Sequence, residues 1–351
     1  MSIELMQFSA MLIMALLMVK LLMLPRRAIT SPVVQKTRWL LLAGTILLGI
    51  HFFLQYKLGL RTRGITLAVM LNIAFFIPCS ACFSLAILNL LSRGRLNEVE
   101  KYISIPVWLI AMAVLFIERN NLLWAESIAT ILYAGMQIYY TIREMRYMRH
   151  IREILSDYFD TDKGYLLRWV EWSIYLLMLM ALMVPVIIYG HDLLLILFAL
   201  LFFFGIFYLV DSFCLFVVSN APDQVVEAET ETEQHDTGIR MSDNAMLRVG
   251  AAVSRWIALQ GHLKAGLNMP NAAEEMGVPR YLLSAWFKQK GIHYSDWLAN
   301  LRITEAKRLI QEHPDWSNET VAQHCGFSDR TYFQRKFKEI TGMTPNDFLK
   351  Q

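Results

Sequence analysis

Seven stretches of this sequence, roughly 5–24, 39–57, 65–91, 102–118, 121–141, 166–190 and 193–218, are long and mostly apolar. A helix needs about 20 such residues to cross the hydrocarbon core of a bilayer. The run predicts an all-α chain whose residues 1–218 form a polytopic helical membrane bundle of about seven spans. The fourth stretch is short, and the fifth follows it after only Glu118-Arg119-Asn120-Asn121, so that hairpin is the weak joint of the count.

Basic residues in short loops mark the cytoplasmic side. Loops after odd-numbered stretches hold twelve of them (Arg26, Arg27, Lys36, Arg38, Arg93, Arg95, Lys101, Arg143, Arg146, Arg149, Arg152, Lys163), and loops after even-numbered stretches hold four. The asymmetry places the N-terminus outside and, after seven crossings, the C-terminus inside a bacterial inner membrane. Met1–Leu24 runs straight into Arg26 and Arg27. That is the reverse of a signal peptide, so the segment reads as a retained span. The run from Arg143 to Gly164 mixes Arg with large apolar residues and reads as a helical extension in the interface.

Ionisable groups inside spans are costly and mark candidate sites. Lys20 near the inner end of the first span and Asp211 in the inner half of the last lie at depths compatible with an ion pair. His51 and Glu126 lie towards the outer side. These four are the candidate membrane signal site, with local hydrogen bonding and interfacial exposure as the plainer alternatives. Cys79-Ser80-Ala81-Cys82 has a redox-like spacing, but it follows Pro78 inside an apolar span and reads as small residues packing between helices. Four scattered cysteines make no disulfide framework. The chain shows no zinc pattern, phosphate-binding loop, nucleotide fingerprint or HExxH, so no catalytic residue, metal or cofactor is assigned and an enzyme is not expected.

The charge changes abruptly after this half. Residues 219–245 carry 1 Lys+Arg against 7 Asp+Glu, while residues 246–351 carry 14 against 10. The acidic segment, with Glu227, Glu229, Glu231 and Glu233 alternating with small residues, has too little apolar surface to order itself and reads as a flexible linker.

The last hundred residues contain a diverged repeat. Ala273 to Gly277, Leu283, Phe287-Lys288, Gly291 and Asp296-Trp297-Leu298 recur as Ala322 to Gly326, Phe333, Phe337-Lys338, Gly342 and Asp347-Phe348-Leu349. A small residue where two helices cross, and Gly four positions later, suit a helix-turn-helix. In the second copy Phe333, Phe337 and Ile340 form an inward stripe, and Thr331, Gln334, Arg335 and Lys338 face the other way with Arg330 at the flank. Thr344, Pro345 and Asp347 announce a closing helix. Ser295 to Glu312 reads as an amphipathic connector about 27 Å long.

Within this repeat the run from Val321 to Leu349, with Gly326-Phe327-Ser328-Asp329, the pair Tyr332-Phe333, Phe337-Lys338 and Thr341-Gly342-Met343-Thr344-Pro345, resembles the C-terminal signature of the AraC/XylS family. The resemblance covers about residues 246–351 and is strongest in its second half. It implies two helix-turn-helix units reading adjacent major-groove segments. Carried over by position, Arg330, Thr331, Gln334 and Arg335 are the base-reading residues of the second unit. The first unit presents Tyr281 and Ser284, with Ala285 where a polar reader is expected, and so is expected to position more than to specify. Lys288, Lys290, Lys336 and Lys338 are the candidate phosphate contacts. Many members of the family carry a soluble domain ahead of this one; here apolar stretches precede it.

The expected function is a membrane-bound one-component transcription regulator. Its partners are double-stranded DNA, the lipid bilayer, a signal ligand the residues do not identify and, as one option, a second copy of the chain. A membrane receptor whose helical tail binds a protein, and a transporter-like protein with an attached regulatory domain, are the alternatives.

Overall fold

The computed structural model describes residues 3–29, 31–58, 65–117, 122–158, 167–183, 192–219 and 241–350, which are helical with no strand among them. The hairpin at 118–121 and nearly all of the acidic segment, residues 220–240, lie outside the described residues. The chain divides into two compact units, Met1–Arg149 with Leu166–Pro222, and His150–Tyr165 with Asp223–Gln351.

The first unit is built from α1 (Ile3–Leu22), α2 (Pro32–Leu58), α3 (Ile65–Leu91), the short α4 (Glu98–Tyr102), α5 (Ser104–Ile117), the start of α6 (Leu122–Tyr158), α7 (Arg168–Leu182) and α8 (Asp192–Val218). Each apolar stretch of the sequence falls on one of these helices. Helix α2 packs between α1 and α3, α3 also meets α5 and α7, and α8 packs on α7 and α1. Helices α2 and α3 approach closely at Gly44, where an added Cβ would come within 2.8 Å of the Phe83 ring. Cys79 is buried beside it with its thiol towards the Gly44 carbonyl at 3.8 Å, and all four cysteines are free. Cys79 thus serves helix packing, as its apolar surroundings imply.

Apolar residues cover the outside of this unit as well as its core. On α1, Ala10, Met14, Leu17 and Leu21 are buried, while Leu5, Phe8, Leu12, Leu16, Val19 and Leu22 are at least half exposed. A helix that is apolar all round suits lipid or a protein core, not water. Among the described residues four helices are long and apolar enough to cross a membrane: Pro32–Lys57, Val69–Leu91, Glu98–Ile117 and Leu200–Val218. The other three of the seven stretches expected from sequence fall outside that length and composition among the described residues. Gln7–Leu22 is a shorter apolar helix. Helix α6 runs unbroken from its apolar first half into the basic run Arg143 to Arg152. The described part of α7 has 15 residues, and 184–190 are not described.

The second unit comprises α9 (Asp243–Ala258), α10 (Met269–Met276), α11 (Arg280–Lys290), α12 (Tyr294–Glu312), α13 (Asn318–His324), α14 (Arg330–Thr341) and α15 (Pro345–Leu349). Five of these seven helices start at a side-chain cap, α11 and α12 being the exceptions. The side chains of Ser242, Asn268, Ser317, Asp329 and Thr344 accept hydrogen bonds from the N–H of Ala245, Asn271, Thr320, Tyr332 and Asp347. Each such cap contributes about 1 kcal/mol. Met241 is buried in the core of this unit and Ser242 caps its first helix.

Two apolar clusters fill the unit. Trp256, Trp286 and Phe287 belong to the first, and Phe327, Phe333 and Phe337 to the second. Helix α12 joins them, giving Tyr294 and Leu298 to one and Ile303, Ala306, Leu309 and Ile310 to the other. Its 19 residues make a rod of about 28 Å, close to the connector expected from sequence.

Candidate nucleic-acid interface

The repeat seen in the sequence is also a repeat of backbone geometry. Between α10 and α11, Gly277 N–H donates to the Glu274 carbonyl and Val278 N–H to that of Ala273, each at 3.0 Å. Between α13 and α14, Gly326 N–H donates to Gln323 at 3.0 Å and Phe327 N–H to Ala322 at 2.9 Å. Both glycines are left-handed, with φ of 66° and 78°, a conformation glycine adopts without steric cost.

Their surroundings differ. A Cβ on Gly277 would meet open space, whereas one on Gly326 would lie 2.4 Å from the Leu263 carbonyl oxygen. The second turn is therefore seated on the 3-10 turn Gly261–Leu263 that follows α9. Arg302 of α12 fastens the same junction. It is fully buried, donates from Nε to the His262 carbonyl at 2.9 Å and from Nη2 to that of Lys264 at 2.7 Å, and its guanidinium lies 5.5 Å from the centre of the Phe327 ring. The two halves of the unit are held in register through backbone carbonyls. Sequence reasoning passed over Arg302; the available signal was an arginine on the apolar face of α12, four residues after Leu298.

This anchoring leaves one face of α14 outward. Tyr332, Phe333 and Phe337 are buried, Arg330, Thr331, Arg335 and Lys338 are exposed, and Gln334 is half-buried. The expected readers thus share one face, and the Arg335 guanidinium lies 5.4 Å from the centre of the Tyr332 ring, which limits its rotamers. On α11, Tyr281, Lys288 and Lys290 are exposed and Ser284 and Ala285 are half-buried. The Lys290 ammonium sits over the Trp286 ring at 3.9 Å.

Lys336 stands apart from the other lysines. Its side chain is only 13% exposed and is paired with Asp296 at 2.9 Å and Glu339 at 3.1 Å. Burial works against its charge, but these two carboxylates outweigh that and hold the ammonium above the ordinary lysine range. It ties α14 to α12. Glu275 is held similarly: burial would raise its carboxyl, yet hydrogen bonds from Lys264 and the Trp256 N–H keep it below the usual range. Burial pushes the Cys325 thiol up to about 12, so it stays protonated and packs as a small apolar group.

In the first unit, Lys20 and Asp211 form an ion pair between α1 and α8, as their depths suggested. His51 is buried, its Nε2 3.0 Å from Asn72 Oδ1 and 3.1 Å from Gln55 Nε2. Gln55 Nε2 donates to Asn72 Oδ1 at 2.7 Å, and Gln7 Nε2 to Gln55 Oε1 at 3.3 Å. His51 therefore belongs to an amide cluster that the sequence did not announce. Glu126 is buried on α6.

The capped pair α13 and α14, with its outward basic face, suits a helix-turn-helix, and residues 272–351 match the family model of that description, "Helix-turn-helix domain". The C-terminal domain is of the AraC type. It is similar to the regulatory protein PocR of Salmonella typhimurium (30% identical over 94 residues, 26% of this chain and 31% of that protein). It is also similar to the transcriptional activator RhaS of Pectobacterium atrosepticum (28% over 142 residues, 38% and 49%) and to the arabinose operon regulatory protein of Escherichia coli (39% over 67 residues, 19% and 23%). The chain thus spans less than half the length of these relatives, which are transcription regulators and not enzymes. No solved structure matches the chain.

Proposed function

We propose that this chain is a membrane-bound transcription regulator that binds double-stranded DNA through two helix-turn-helix units and responds to a signal received by its apolar helices. The observation that carries the reading is the outward face of α14, where Arg330, Thr331, Gln334, Arg335 and Lys338 stand opposite a buried aromatic stripe. Arginine is the side chain best suited to read guanine, because its planar fork matches the O6/N7 edge. Arg335 is assigned that role, with Thr331 and Gln334 beside it. Tyr281 and Ser284 offer fewer donors and place α11 in the neighbouring groove segment. Lys288, Lys290 and Lys338 are assigned to phosphates. The rod α12, with its 19 residues, has a length suited to setting the two reading helices near the roughly 34 Å repeat of the major groove.

The bilayer assignment is supported by the four long apolar helices and by apolar outer faces; with seven crossings, the basic loops favour a cytoplasmic C-terminus. His51 with its amides, Glu126, and the Lys20–Asp211 pair are the groups within the spans that a signal would perturb. The experiment is to fractionate cells making the full chain and then map its chromatin sites. Membrane recovery together with discrete sites, lost in Arg335→Ala, supports the reading. A protein in the soluble fraction, or one without discrete sites, refutes it.

A further inference from the structure

Two carboxylates of the first unit are fully buried, and they are treated very differently. Glu100 on α4 is matched on both oxygens: Arg143 Nε donates to Oε1 at 2.5 Å and the Asn97 N–H to Oε2 at 2.9 Å. Tyr140 adds a bond to the Glu100 carbonyl at 3.1 Å. Glu144, the residue after Arg143 and on the same helix, has no hydrogen-bond partner on either oxygen among the described residues.

The surroundings of Glu144 make the deficit worse. Gln137 Oε1 and Thr141 Oγ1 are also buried without partners among the described residues, and their spacing places them on the same face of α6 as Glu144. Ser84 of α3 lies beside the carboxyl, and its oxygen accepts from Gln137 Nε2 at 3.2 Å, which leaves the hydroxyl hydrogen to turn towards Glu144. The hydrogens beside these oxygens on α3 and α6 are those of two neutral hydroxyls, Ser84 and Thr141, and neither brings a positive charge. Turning the Gln137 amide round would add an N–H but would leave the charge of a buried carboxylate uncompensated. Such a charge is neutralised or paired in a stable protein.

Among the described residues, the titratable groups on the helices around it do not compensate that charge. On α6, the Tyr140 phenol is an acid too weak to help, and Arg143 is committed to Glu100 and to the Tyr147 hydroxyl. On α3 the titratable side chains are Cys79 and Cys82, neither of which carries a positive charge, and Lys101 of α4 is paired with Glu98. A single proton resolves the arrangement. It removes the charge and supplies the missing donor, and it needs no more room than the closed packing leaves.

We propose that Glu144 is a proton-binding site, closed between α3 and α6 and occupied at neutral pH, so that packing of this part of the bundle is linked to proton concentration. Loss of the proton leaves a buried carboxylate among neutral groups and loosens α6 against α3. This inference does not depend on DNA binding.

The test uses the full chain in phospholipid vesicles, treated with dicyclohexylcarbodiimide, which adds to a protonated carboxyl and leaves an acylurea detectable by peptide mass. The expected result is a label on Glu144 at about pH 6 that declines roughly tenfold for each pH unit above its titration, with Glu100 unlabelled. In parallel, the infrared C=O band of a dehydrated carboxylic acid is expected in the parent and absent from Glu144→Gln. Three results overturn the proposal: no such band at about pH 6, labelling of Glu100 as fast as Glu144, or protection of Glu144 by sodium ions at fixed pH, which would make a metal ion the occupant.

Discussion

Arg302 offers the sharpest test of how the DNA-binding unit is held together. Replacing it with Ala removes two charge-assisted hydrogen bonds, to the carbonyls of His262 and Lys264 at 2.9 and 2.7 Å. Bonds of this kind contribute about 1.5–3 kcal/mol each, and the contact with the Phe327 ring adds about 1 kcal/mol. Against this stands the desolvation of a fully buried cation, several kcal/mol, which the substitution recovers. The two carbonyls then lack their donor, at about 1–3 kcal/mol each. The balance is a net loss of about 3 kcal/mol. For a domain of this size that lowers Tm by roughly 12–24 °C, measured by circular dichroism on residues 241–351. Arg302→Met separates the causes, since it fills much of the space but gives the carbonyls no donor. It is expected to lose at least half as much as Arg302→Ala. If Arg302→Met melts within about 1 kcal/mol of the parent, the carbonyls do not need the guanidinium and the reasoning fails.

Gly277→Ala and Gly326→Ala impose the same left-handed strain, about 1–2 kcal/mol. Only the second drives a Cβ into the Leu263 carbonyl, so it is expected to cost at least twice as much in urea unfolding; equal losses would refute the seating of the second turn. Arg335→Ala should cost about 1–3 kcal/mol at one base position, seen as relaxed specificity in a binding-site selection. Lys338→Ala should instead reduce the salt slope by about 1 at every sequence. Lys336→Ala, whose charge is spent on Asp296 and Glu339, should leave that slope alone and lower stability. Burial, and then the charge of Arg302, hold His262 below its ordinary value of 6.5. A depressed histidine contributes stability that is full above about 6.5 and is lost as pH falls below it. The Tm of residues 241–351 should drop between about pH 7 and 5, and His262→Gln should flatten that drop.

Local rules made much of this legible. Apolar runs marked the helices of the first unit, and the caps at Ser317, Asp329 and Thr344 are short-range patterns that the sequence displays. The outward face of α14 followed from a helical wheel alone. What escaped was long-range. Arg302 sits 40 and 38 residues from the carbonyls it holds, and nothing in its neighbourhood says that the apolar face of α12 accepts a charge. Lys336 looks like a phosphate contact until Asp296, also 40 residues away, is brought beside it.

Glu144 shows the limit most clearly, because it lies among Arg143, Arg146 and Arg149, where a carboxylate reads as one more solvated charge. Yet Ala129, Tyr133, Met136, Tyr140, Met148 and Ile151 are all buried, and Glu144 falls on that same face by helical spacing. The apolar face of α6 outlasts its apolar composition. A span read by composition alone stops at the first charges, whereas a helix read by its face continues through them. The residue that a composition window discards is therefore the one most worth testing.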